Sequence, residues 1–110
     1  MKIAVTGATG LIGAAVVATL AARGHEAIRL GRGAGHDAVV DLGGRNALSL
    51  PACDALIHCA GVTDEEVKAD SAAALVRASH GTERLVAAAR AAGVGRIAYI
   101  SSAHVYGPLT

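Results

Sequence analysis

Three glycines at a spacing of three, Gly7, Gly10 and Gly13, follow the apolar run Lys2-Ile-Ala-Val-Thr6 and lead into a second apolar run. The chemistry such a group can do is to hold a phosphate on main-chain atoms. A glycine at a strand end takes up backbone angles that a side chain forbids. A second lets a pyrophosphate approach the main chain, and a third lets the following helix pack closely on the strand. The N–H groups at the helix start, together with its positive dipole end, then face the anion. The pattern G-x-x-G-x-x-G differs from G-x-G-x-x-G, and ordinary strand–helix turns also produce glycines at such spacings. The strand before and the helix after are what point to a dinucleotide site.

Other reactive residue types lack a functional spacing. Cys53 and Cys59 form neither a disulfide framework nor a zinc pattern; two reduced thiols in a cytoplasmic protein fit them better. The five histidines, at positions 25, 36, 58, 80 and 104, are scattered, so no metal is expected. His58 reads as a core histidine with satisfied partners. A net charge of +1 without a basic run argues against nucleic acid or an acidic membrane surface as partner. Met1-Lys2 and Leu11–Ala22 imitate a signal peptide's charged start and apolar stretch. Glycines and threonines interrupt that run, however, and it is too short to span a membrane. With no Phe, no Trp and two Tyr, the core must be aliphatic.

The elements that must position the glycines follow from periodicity. Leu11 to Arg23 reads as a helix whose Ile12, Val16 and Leu20 form a sheet-facing stripe, ended by Gly24 as a left-handed cap. Glu26 to Leu30 is a second strand. A third, Ala38 to Leu42, follows too soon for a crossover helix. Residues 43–53 have room for one or two helical turns, and Asp54 to Ala60 is a buried central strand ending at Gly61. Asp64 to Ala92 is helical in composition, either one bent helix or two with Thr82 capping the second. Gly93 ends it, and Arg96 to Ser101 is the last strand. This order makes an α/β, doubly wound parallel sheet of Rossmann type, with strand order 3-2-1-4-5 and a ligand crevice at the carboxyl ends of strands one and four. The 110 residues are expected to form one dinucleotide-binding domain.

Four segments together resemble the extended short-chain dehydrogenase/reductases, the NAD-dependent epimerase/dehydratase family. Thr6-Gly7-Ala-Thr9-Gly10-Leu11-Ile12-Gly13 resembles its cofactor loop, and Asp41-Leu42 its acid-plus-apolar pair at the adenine. Ile57-His-Cys59-Ala60-Gly61 resembles the strand-four end that lies along the cofactor. Ile100-Ser-Ser102-Ala-His-Val-Tyr-Gly107 resembles the strand-five motif whose second serine contacts substrate. Asp41 read alone could equally cap a turn, and Ser102 read alone could bond to one. Tyr106 matches the family's structural tyrosine. The family often has an asparagine three residues before the Gly-Thr pair; Ala78 stands there.

The resemblance implies NAD(P)(H) as cofactor and a nucleotide sugar or related carbonyl or alcohol as substrate. NAD-preferring members place an acid at the end of strand two. Here Gly31 stands at that place and Arg32 follows, and a guanidinium suits a 2′-phosphate, so NADP is expected over NAD. Ser102 is the catalytic candidate. The family's Tyr-x-x-x-Lys pair is missing: Tyr99 is followed four residues on by Ala103, and Tyr106 by Thr110. The expectation is therefore a fold truncated after strand five, which takes a small-molecule substrate only in a longer chain and is inactive alone. Its exposed sheet surface would invite association into a homo-oligomer. Two further readings stay open, a non-catalytic NADP-sensing regulator and an inert fragment.

Overall fold

The computed structural model describes residues 1–33, 35–42, 48–59 and 70–100. Five strands, β1 (Lys2–Thr6), β2 (Glu26–Gly31), β3 (Ala38–Val39), β4 (Ala55–His58) and β5 (Arg96–Tyr99), form one sheet in the order β3-β2-β1-β4-β5. Every pairing is parallel, with Ala4 opposite both Ile28 and Leu56, and Leu56 opposite Ile97. Helices α1 (Leu11–Ala22) and α2 (Ser71–Ala91) supply crossovers. This is a Rossmann-like, doubly wound arrangement.

Alternation along the central strands divides the core between the two faces. Ile3, Val5 and Ala8 pack with Val16, Val17 and Leu20 of α1. Ala4, Leu30, Val40 and Leu56 pack with Leu85 and Ala89 of α2. One expectation changes here: Ile12 is 55% exposed, and Val17 takes its place in the stripe. The first turn of α1 stands at the carboxyl edge of the sheet, and only later turns lie over it. Gly24, at φ +82, ends α1 as anticipated.

Three boundaries also move. β3 stops at Val39; one further bond joins the Val40 N–H to the Gly31 carbonyl. Asp41 and Leu42 then leave the sheet, because Arg84 of α2 donates to both their carbonyls at 3.1 and 2.8 Å. Residues 48–53 contain no helix, and 43–47 lie outside the described residues. Helix α2 runs unbroken through Gly81-Thr82. Its start is capped by Asp70, whose carboxylate accepts the Ala73 N–H at 3.0 Å; the expected residues 64–69 lie outside the description. Gly81 is needed for proximity: a Cβ there would come 3.2 Å from both Cβ and O of Leu42. Gly93, at φ +74, follows the helix end.

Candidate functional site

The three loop glycines have different jobs. Gly7 sits at φ +66, where a side chain is strained, and its carbonyl accepts the Gly10 N–H at 3.1 Å. A Cβ on Gly13 would fall inside the Gly7 carbonyl and 3.0 Å from Ala8 Cα, so α1 can touch the loop only with glycine there. A Cβ on Gly10 would meet only the Gly7 oxygen, at 3.4 Å, an ordinary contact. Among the described residues nothing else comes within 4 Å of that Cβ, and Gly10 is exposed. No side chain caps α1 and no acid stands in its first turn, so its positive end is not neutralised from within. Thr9, Leu11 and Ile12 are exposed around it, Leu11 by 92%.

The loop after β2 carries Arg32, which is exposed. Asp37 closes that loop: it accepts the Arg29 N–H at 2.8 Å and both prongs of the Arg29 guanidinium at 3.2 Å, and its own N–H donates to the Arg29 carbonyl. The guanidinium holds the Asp37 carboxyl below the usual carboxylate range. Within the loop, the His36 ring lies against Gly31. After β3, Asp41 is exposed and Leu42 half-buried, both fixed through their carbonyls by Arg84.

At the end of β4 the structure reveals a group not foreseen in the sequence. Thr6 and His58 are register partners. Thr6 Oγ1 lies 2.6 Å from His58 Nδ1, and His58 Nε2 lies 3.1 Å from Thr82 Oγ1. A neutral imidazole donates through one nitrogen and accepts through the other, and either hydroxyl can play either role. Burial pushes His58 below the ordinary histidine value, which favours that neutral ring. Thr6 Oγ1 also accepts the Cys59 N–H at 3.1 Å. One buried chain of hydrogen bonds thus joins the residue before Gly7, the residue that leaves β4, and α2. Tyr99 flanks it, its ring centre 5.5 Å from that of His58. His58 is a satisfied core histidine, as expected. Burial raises the Cys59 thiol, and likewise Cys53, above its usual value, so neither is an activated nucleophile.

Gly7, Thr9, Gly10, Leu11, Ile12, Gly13, Arg32, Asp41, Leu42 and Cys59 therefore all follow the carboxyl ends of β1, β2, β3 and β4, the edge where open α/β sheets bind ligands. Ala60, Gly61 and Ser102 lie outside the described residues. Arg84 and His36 carried no local signal, and Thr82 only that of a helix cap. Their partners lie on other strands or across a loop, and only the folded chain brings them together.

Solved structures share this fold. A short-chain dehydrogenase/reductase superfamily protein from Agrobacterium tumefaciens, with bound NAD, is 34% identical over 97% of this chain, with a TM-score of 0.79. MoeE5 in complex with UDP-glucose and NAD is 26% identical over 99%, with a TM-score of 0.77. A UDP-glucose-4-epimerase from Stenotrophomonas maltophila, at 24% identity and a TM-score of 0.80 over 99% of the chain, shares the fold. The chain spans 34% of the first of these proteins and 39% of the other two. No curated protein matches it. The NAD dependent epimerase/dehydratase family model matches residues 3–110, and the chain belongs to that family.

Proposed function

We propose that these residues are the NAD(P)(H)-binding part of an oxidoreductase, an epimerase, dehydratase or reductase whose whole chain acts on a nucleotide sugar or related carbonyl or alcohol. The observation that carries this reading is the contrast within the first loop. Gly13 is locked against Gly7, while Gly10 is exposed beside an uncapped helix start and, among the described residues, a Cβ on it would meet only the Gly7 oxygen. A turn that served packing alone would need only the first feature. The nucleotide sugar and the NAD bound by MoeE5 support the substrate class and the cofactor. Bound nicotinamide would supply hydride transfer.

The residues of this chain would bind and orient. First-turn N–H groups of α1 would hold the pyrophosphate, with Leu11 and Ile12 beside them. Asp41 and Leu42 would border the adenine, and Cys59, Ala60 and Gly61 would run along the cofactor. Arg32, exposed directly after β2, would grip a 2′-phosphate, so that NADP is preferred over NAD. Ser102 would orient and polarise the substrate oxygen. A cytoplasmic location suits reduced Cys53 and Cys59; among the described residues no helix is long and apolar enough to cross a membrane.

Gly10→Val tests the reading. Its side chain would enter the phosphate space without a main-chain clash, so calorimetric titration should show dinucleotide affinity falling about a hundredfold or more while circular dichroism stays that of the parent. Undiminished affinity in a folded variant would sink the assignment.

A further inference from the structure

The loop after β2 holds a residue that the reading above leaves without a role. Gly31 occupies the strand end at which an acid would accept hydrogen bonds from the adenosine ribose. A Cβ built on Gly31 would fall inside the imidazole of His36, 2.6 Å from its Cε1 and nearer still to Nε2. The Nε2 edge of that ring therefore fills the room in which a side chain at position 31 would begin. The opposite edge of the ring is committed: His36 Nδ1 lies 3.0 Å from the Gly33 carbonyl oxygen. A carbonyl only accepts, so Nδ1 carries the proton and donates it. In a neutral imidazole this leaves Nε2 as a lone pair at the strand end. The bidentate Arg29–Asp37 pair fixes the return of the chain immediately after His36, and so holds the ring in place.

We infer that His36 is a specificity-determining residue of the dinucleotide site and stands in for the missing acid of β2. Its Nε2 accepts a hydrogen bond from a ribose hydroxyl of NAD(H), while the neighbouring Arg32 favours the 2′-phosphate of NADP(H). The two side chains pull cofactor choice in opposite directions from one loop. The inference rests on the dinucleotide reading of the site and assigns part of its selectivity.

The test is the ratio of NADPH to NADH affinity, measured by calorimetric titration of the full 110-residue chain. His36→Phe keeps a ring against Gly31 but removes the acceptor. NADH should weaken about three- to tenfold, the range of one neutral hydrogen bond, NADPH should change less, and the ratio should rise. Gly31→Ala reaches the same end independently, because its methyl displaces the ring and offers no acceptor. Arg32→Ala should move the ratio the other way. A residue that merely packs the loop would weaken both cofactors alike, so an unmoved ratio in His36→Phe and Gly31→Ala overturns the inference, as does a larger loss of NADPH than of NADH. Failure of the parent chain to bind either cofactor would sink the dinucleotide reading together with this inference. Binding of both cofactors with an unmoved ratio would sink only the inference.

Discussion

Strands β4 and β5 lie side by side in parallel register, Leu56 opposite Ile97 and His58 opposite Tyr99, yet they live in different surroundings. Leu56 is 1% exposed and its neighbour Ile97 43%; His58 is 4% exposed and Tyr99 61%. Both strands are short and carry apolar residues. Their difference comes from place in the sheet. β4 has β1 on one side and β5 on the other, with Leu85 and Ala89 of α2 packed in the cluster that holds Leu56. Among the described residues β5 is an edge, and no residue of Arg96–Tyr99 belongs to either core cluster. An apolar side chain is stabilising only to the extent that something covers it, and the order of the strands decides which ones are covered.

The largest effect should come from emptying the covered member of the first pair. Leu56→Ala removes a fully buried side chain between Ala4, Leu30 and Leu85, and should lower unfolding free energy by about 2–5 kcal/mol, read from urea titration. A loss below about 1 kcal/mol would mean that the cluster is loosely packed. Next comes His58→Phe, which keeps a ring but removes the partner of two threonine hydroxyls. It should cost about 1–3 kcal/mol. It should also change the pH dependence. Buried His58 resists protonation, while the unfolded ring takes up a proton near 6.5. Below about pH 6.5 the unfolded state therefore binds more protons than the folded one, so this contribution to stability is full above about pH 6.5 and falls as the pH drops below it. The slope between about pH 7 and 5 should flatten in His58→Phe; an unaltered slope would show that the ring is not the group resisting protonation.

How far the sequence disclosed all this depends on the range of the interaction. Gly24 and Gly93 announced helix ends because a left-handed residue is a local requirement. The strand order followed from alternating strands and helices joined by short connections. Gly81 misled for the same local reason: glycine is costly inside a helix, and only the approach of Leu42 across the fold shows why it is tolerated there. The end of β3 was misplaced because Arg84, more than forty residues away, holds the carbonyls of Asp41 and Leu42. Thr82 looked like a cap and instead reaches His58. The glycine loop was readable as a candidate phosphate site, while the threonines that brace it were not, since nothing in a threonine's own neighbourhood reports a histidine 52 or 24 residues distant.

The smallest expected effect belongs to the exposed member of the pair, and it sharpens the comparison most. Ile97→Ala deletes the side chain that lies in register beside Leu56, so a sheet stabilised mainly by strand composition would lose about as much here as at Leu56. Ile97 is already 43% exposed, and little packing is available to lose. The part of its surface that is buried corresponds to about 1–1.7 kcal/mol at the usual area coefficient, of which alanine's own Cβ keeps a share, and substituting alanine on an edge strand adds only a few tenths from lost β-propensity. Urea titration of Ile97→Ala should therefore lower the midpoint much less than Leu56→Ala does and leave the m-value unchanged, since the surface exposed on unfolding barely alters. A loss of about 2 kcal/mol or more, in the range expected for a buried residue, would show that β5 is covered in solution by something other than α1 and α2, and the division of the sheet into a covered centre and an open edge would have to be redrawn.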